Sequence, residues 1–251
     1  MRAGELLVVK LGGSLITDKR KPLTLNRERL DSAAKALTEV ARGRKLVIVH
    51  GGGSFGHYAV VQAGGSRERL VSDVSYWMSV LNLEVVTALR AAGAPAVGLP
   101  PLAVARINNG QLSLQREILE SYLKDGTVPV THGGLVLQGE RLEILSGDVL
   151  ASEVAVKLAA KTLVFLMDID AVYTADPRSD PQARRLEVVR RSDLEAIKGG
   201  SSGTDVTGGL LLKLREALRA AEAGVRVTLG GVNELQAMVE GGEGRYTRVE
   251  P

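Results

Sequence analysis

Six short, mostly apolar runs set the limits on what this chain can fold into. They are ELLVVK (5–10), LVIV (46–49), PAVGL (95–99), VPVT (128–131), TLVFLM (162–167) and VRVTL (225–229). Runs of this length with little polar alternation read as strands covered on both faces. Between them the apolar residues recur at helical spacing. Over 27–42 they are Leu30, Ala33, Ala34, Leu37, Val40 and Ala41, with Asn26 placed to cap the start and Gly43 to stop the end. Over 67–92 the stripe is Leu70, Val74, Trp77, Leu81, Val85 and Leu89, closed by Gly93. Further helices are expected over 116–124, 148–160, 192–198, 210–223 and 233–239. A hairpin is expected around Gln138-Gly139, and an edge strand over 246–249. Strand alternating with helix predicts a three-layer αβα sandwich around an open, mainly parallel central sheet. No repeat or long linker interrupts the 251 residues, which favours one domain with two lobes over two independent domains.

Composition narrows the function classes. Without cysteine there is neither a disulfide nor a thiolate zinc site, and the three histidines have no metal-ligand spacing. No run of about 18 apolar residues occurs, so no membrane span is expected. The N-terminal run ends early at Lys10 and Gly12, unlike a signal peptide, and a cytoplasmic protein is expected. A net charge of +3 without a basic block gives no reason for a nucleic-acid partner. It suits an anionic small molecule.

In a parallel sheet, ligands bind beyond the carboxyl ends of the strands. The unusual residues fall there: KLGGS (10–14), HGGGSFGH (50–57), SGD (146–148), MDIDAVYTADP (167–177) and GTDVTGGLLLK (203–213). Glycine-rich loops and helix starts offer many backbone N–H groups, an arrangement suited to phosphate. No Walker A or G-x-G-x-x-G pattern is present. An ammonium such as Lys10 at the end of a buried strand needs an anion. Lys213 lies one helical turn after Gly209, on the same side, and Lys19 sits just downstream of the first loop. Converging lysines and N–H donors are what phosphoryl transfer requires. Taken singly, each feature has a structural reading. A Gly-Gly pair can be a turn, Asp148 a helix cap, Asp168 and Asp170 a turn-ordering pair, and His57 a structural imidazole.

In their order along the chain, VVKLGGS, VIVHGGGSFG, SGD, DIDAVYTADP and DVTGGLLLK resemble the amino-acid kinase superfamily, from Val8 to at least Lys213. Within it, KLGGSLITDK with HGGGSFGH is similar to the isopentenyl phosphate kinases, whose near relatives include fosfomycin kinase. The resemblance implies an acceptor-binding lobe over about 1–160 and a nucleotide-binding lobe over about 161–251. It also implies ATP, Mg2+ carried mainly by the ATP phosphates, and a homodimer. The expected reaction converts isopentenyl phosphate and ATP to isopentenyl diphosphate and ADP. By the same resemblance Lys10, Gly12, Gly13, Ser14, Gly53, Asp168, Tyr173, Asp176, Gly209 and Lys213 contact ATP. Gly52, Gly56, His57 and Gly147 hold the acceptor phosphate. Lys19 stabilises the transferring group and Asp148 orients the lysines. A phosphate acceptor is its own nucleophile, so His57 is expected to donate to it rather than act as a base. Tyr58, Trp77, Met78 and Leu81 are candidates to line an isoprenoid pocket, although a plain core stripe has the same pattern. Two departures stand out: THGG (131–134) replaces an aromatic-Gly-Asp segment, and Ala171 replaces a glycine. The rival readings are a kinase of fosfomycin or another small phosphonate or phosphate, UMP included, and a non-catalytic nucleotide- or oxyanion-binding protein.

Overall fold

A computed structural model of the chain describes residues 4–194 and 207–251. Its centre is an eight-stranded sheet. Six of its strands are β1 (Leu6–Leu11), β2 (Lys45–His50), β3 (Ala96–Gly98), β6 (Val128–His132), β9 (Thr162–Leu166) and β13 (Arg226–Gly230). β14 (Thr247–Val249) and β12 (Val188–Val189) complete it in the order β12-β14-β13-β9-β1-β2-β6-β3. All neighbours are parallel except β13 and β14. The C-terminal strand expected at an edge is therefore an inner one, because β12 pairs with it and takes the edge.

The period of two along β1 and β2 divides the core. Leu7, Val9, Leu11, Leu46 and Ile48 face one helical layer: α2 (Arg27–Val40), α3 (Gly53–Ala63), α4 (Arg67–Ala91) and α9 (Leu235–Glu240). Val8, Val47 and Val49 face the other: α5 (Pro101–Val104), α6 (Arg116–Lys124), α7 (Gly147–Lys157) and α8 (Thr207–Glu222). Alternation then puts Lys10 on the α7/α8 side. The caps follow the sequence. The Asn26 side chain accepts from the Arg29 N–H at 3.2 Å, and Ser66 caps α4 in the same way. On α4 the buried stripe is Val74, Met78, Leu81, Val85 and Leu89, so Met78 takes the place expected for Trp77, which is half-buried.

A second sheet, β5-β4-β7-β8, stands beside the first. Its β7 (Gly134–Gln138) and β8 (Arg141–Leu145) are the expected hairpin. β4 (Ala105–Asn108) and β5 (Gln111–Leu114) form another, turning on Asn109-Gly110 with φ of 50° and 76°. The remaining short elements are α1 (Gly13–Ile16) and the pair β10 (Val172–Tyr173) and β11 (Arg185–Leu186). The helix expected over 192–198 and the glycine-rich loop of 199–209 fall mainly on residues 195–206, outside the described residues. No described helix is long and apolar enough to cross a membrane.

Candidate active site

A cleft of about 1020 Å³ opens at the carboxyl ends of β1, β2, β6 and β9. Every residue expected to contact ATP, hold the acceptor phosphate or take part in the transfer lines it. Lys10, Gly12, Gly13, Ser14 and Lys19 come from β1 and the segment after it. Gly52, Gly53, Gly56 and His57 come from the start of α3. Gly147 and Asp148 open α7, Asp168, Tyr173 and Asp176 follow β9, and Gly209 and Lys213 lie in the first turns of α8. HGGGSFGH is thus not only a loop. Its second half is already helix, and His57 stands exposed one turn inside α3.

Close backbone contact explains the glycines. A Cβ on Gly13 would lie 2.3 Å from the Gly53 nitrogen, and one on Gly53 would lie 2.1 Å from Thr17 Oγ1. Gly53 also has φ of +50°, which disfavours any side chain. The two strand-end loops therefore touch through bare backbone. Thr17 pins them: its Oγ1 donates to Gly13 O at 2.7 Å and accepts from Ser54 N–H at 2.9 Å. Gly133 and Gly147 meet likewise, with a Cβ on Gly133 falling 2.6 Å from the Gly147 nitrogen.

At the floor, one carboxylate oxygen holds two cations. Asp148 Oδ1 lies 2.9 Å from Lys10 Nζ and 2.9 Å from Lys213 Nζ. Lys10 is 6% exposed and Asp148 8%. Burial pushes the Asp148 carboxyl up, but the two ammonium groups outweigh it and hold the group below the usual carboxylate range. Burial, with Lys10 alongside, lowers Lys213 from 10.5 to about 8, against the opposing pull of Asp148. Asp148 does not cap α7; Ser146 does, its Oγ accepting from the Asp148 N–H at 3.2 Å. The carboxylate is free to bridge the lysines. The result is a surplus of positive charge beneath an open cleft, fitted to a polyanion.

On the β9 side, Asp168 Oδ1 accepts from Ser14 Oγ at 3.0 Å, and Asp168 Oδ2 accepts from Arg178 Nη2 at 2.6 Å. Burial raises the Asp168 carboxyl, yet Arg178 and Ser14 together hold it low. Arg178 lines the cleft and was not singled out in the sequence; its place in a proline-flanked loop gives no periodic signal. The Tyr173 hydroxyl donates to Asp170 Oδ1 at 2.9 Å, and Arg245 Nε reaches Asp170 Oδ2 at 3.0 Å.

The other end of the cleft is apolar. α4 and β8 contribute Val74, Met78, Ile144 and Leu145 to it, and α3 adds Val60. Of the expected tail-pocket residues only Met78 is there. Leu81 is fully buried, while Tyr58 and Trp77 pack edge-on at 5.8 Å in an aromatic cluster that does not line the cleft. On the expected stripe Met78 takes the place of Trp77, and Val74 and Met78 are the α4 residues that reach the cleft. Gly133 and Gly134 also line the cleft, whereas His132 is buried behind them.

Known proteins place this geometry in context. The chain is 35% identical to isopentenyl phosphate kinase of Methanothermobacter thermautotrophicus over 97% of its length and 98% of that protein's. It is 37% identical to the Haloferax volcanii isopentenyl phosphate kinase over 94% of the chain and 95% of the relative. A solved product complex of Thermoplasma acidophilum isopentenyl phosphate kinase superposes with a TM-score of 0.80 at 27% identity, covering 98% of this chain and all of that one. With the profile of the Amino acid kinase family matching residues 5–230 as well, the cleft, the sheet and the sequence agree: this chain belongs to the amino acid kinase family.

Proposed function

We propose that this chain is an ATP-dependent kinase that phosphorylates isopentenyl phosphate to isopentenyl diphosphate. The observation that carries the reading is the shared Asp148 carboxylate with Lys10 and Lys213 on one oxygen. Binding a nucleotide needs cations. Holding two of them rigidly at one point fits a phosphoryl group in flight, whose charge spreads over its oxygens. In this reading an oxygen of the acceptor phosphate attacks the γ-phosphorus, the bond to the β–γ bridging oxygen breaks, and ADP leaves. The acceptor is already an anion, so no proton has to be removed. Lys10 and Lys213 offset the charge on the transferring group, and Lys19, exposed at the cleft, adds to them. His57 and the N–H groups of Gly52, Gly56 and Gly147 take the acceptor phosphate. Gly12, Gly13, Ser14, Gly53, Asp168, Tyr173, Asp176 and Gly209 take the nucleotide, so the acceptor residues all lie before about residue 160, while the nucleotide draws on loops from both sides of it.

Among the described residues, no three His, Asp or Glu side chains gather as a metal site. Mg2+ would ride on the triphosphate, and Asp168, Asp176 and Asp180 are the cleft-lining carboxylates not bridged to the lysines. There it would neutralise phosphate charge. The apolar end supports an isoprenoid tail over the polar fosfomycin, because Val74, Met78, Ile144 and Leu145 offer it no hydrogen-bonding side chain. A homodimer and a cytoplasmic location belong to the same reading, and light scattering at twice the chain mass would bear out the first. A coupled ADP-release assay with isopentenyl phosphate, fosfomycin, UMP and acetylglutamate tests the substrate. Turnover with isopentenyl phosphate at the highest kcat/KM is expected, and turnover confined to another acceptor would overturn the assignment.

A further inference from the structure

The reaction outlined above leaves two buried imidazoles without a part. His50 is fully buried and His132 is 4% exposed. They are register partners at the ends of β2 and β6, with ring centroids 5.1 Å apart. In each, Nδ1 lies against the carbonyl oxygen of the next residue, at 3.1 Å for Gly51 and 2.9 Å for Gly133. A carbonyl can only accept, so Nδ1 carries the proton in both rings. Burial first, then His132, lowers His50 to about 3, so the ring is neutral and its Nε2 is a bare lone pair. That Nε2 has no hydrogen-bond partner among the described residues. A polar ring kept in the interior at this cost calls for an explanation.

The peptide planes supply one. In a trans peptide the C=O and the N–H point in opposite directions, and no described bond is cis. Drawing the Gly51 carbonyl toward the buried ring turns the Gly52 N–H the other way. Gly52 lines the cleft, and its N–H meets no backbone acceptor among the described residues. The donor before it is already engaged, Gly51 N–H with Leu11 O at 2.9 Å. Glycine on both sides of the peptide leaves it easy to flip. The His50 carbonyl also accepts from Gly133 N–H at 3.0 Å, so the same residue ties together the two loops at the acceptor end.

We infer that His50 is a positioning residue: its Nδ1–H fixes the Gly51–Gly52 peptide so that the Gly52 N–H is presented to the acceptor phosphate, with His132 packed behind it. The inference rests on the reading of this end of the cleft as the acceptor site. Three variants test it. His50→Phe keeps the ring and removes the donor, His50→Asn places an N–H where Nδ1–H was, and His50→Gln places it at the far side. KM for the acceptor, KM for ATP, kcat and the melting temperature are measured for each. Losing one N–H to a charged phosphate corresponds to about tenfold or more in acceptor KM. His50→Phe and His50→Gln are expected to show that rise with ATP KM within about twofold, and His50→Asn to return to within about threefold of the parent. An equal loss in His50→Asn and His50→Gln, or a parallel rise in ATP KM, would overturn the inference. Should His50→Phe not fold, the Asn-against-Gln comparison decides alone. All constants are read with whichever acceptor the parent protein phosphorylates. Failure of isopentenyl phosphate as substrate is thereby separate from failure of His50 as a positioning group.

Discussion

Asp148 shows how much one side chain can settle. Its carboxylate bridges Lys10 and Lys213 at 2.9 Å each, while Ser146 does the capping that a sequence reader would also allow Asp148. Asp148→Asn keeps the shape but leaves two ammonium groups on a neutral amide. A fall in kcat on the order of 10²-fold is expected. A change below about threefold in steady-state kinetics would mean that the bridge is not used in transfer. Lys213 adds a pH dependence with a definite sign. Its folded value of about 8 lies below the ordinary 10.5, so in the empty cleft the ammonium is lost as pH rises through 8. Bound triphosphate favours the charged form. ATP binding near pH 8.5 should therefore take up protons, and its affinity should weaken as pH rises further. Calorimetry in two buffers of different ionisation heat checks this, and an uptake of zero would contradict it. His57→Ala should lower kcat/KM by about 10²-fold as well, read with the acceptor varied. The strand-end Lys10 was legible because an ammonium there is costly without an anion, and the loop glycines because bare backbone suits phosphate; the lysine-bridging role of Asp148 came only with the family resemblance. The Arg178–Asp168 pair was not legible, since nothing in PRSDP fixes where a guanidinium turns.

At the scale of elements, the two strand-end loops are held at a spacing that only backbone can occupy. Gly13→Ala puts a Cβ 2.3 Å from a main-chain nitrogen, and Gly53→Ala adds a positive φ to a 2.1 Å clash. Each should cost about 2 kcal/mol or more of stability. Gly209→Ala meets nothing within 4 Å and lies in α8, so it should be neutral or slightly stabilising. Thermal melts of the three variants separate the cases; equal melting temperatures would mean that the loops can relax apart. Helix α3 escaped notice because its glycines read as a loop, although Phe55, Ala59 and Ala63 recur every fourth residue and Gly64 stops it in the left-handed region. The β4–β5 hairpin escaped too, despite an Asn109-Gly110 pair of the kind that favours a tight turn. Both signals were local and present. α2, α4 and β7–β8 were easier because an unbroken stripe or alternation marks them over more residues.

For the whole molecule, alternating strands and helices made the layered, mainly parallel sheet readable in advance. Strand order was not readable, since a period of two says which face is buried but not which neighbour is paired. Placing β14 inside β12 is the instance. The apolar end of the cleft belongs to this scale as well, being assembled from α3, α4 and β8. Trp77 and Leu81 share α4 with Val74 and Met78, and Tyr58 lies beside them on α3; only packing separates the residues that reach the cleft from those that do not. Ile144 lines that end and is 48% exposed, so Ile144→Glu should leave the melting temperature unchanged. It should raise KM for isopentenyl phosphate by about tenfold and leave KM for ATP alone, since a carboxylate would stand where an alkyl tail is to be buried. Unchanged KM for isopentenyl phosphate would move the tail elsewhere. The central claim, transfer onto a phosphate oxygen across the Lys10–Asp148–Lys213 floor, is tested most directly by phosphorus NMR of the protein with Mg-ATP and isopentenyl phosphate. The acceptor's monophosphate signal is expected to give way to the coupled pair of a diphosphate as ADP appears in equal amount. Release of inorganic phosphate with the acceptor signal untouched would contradict it.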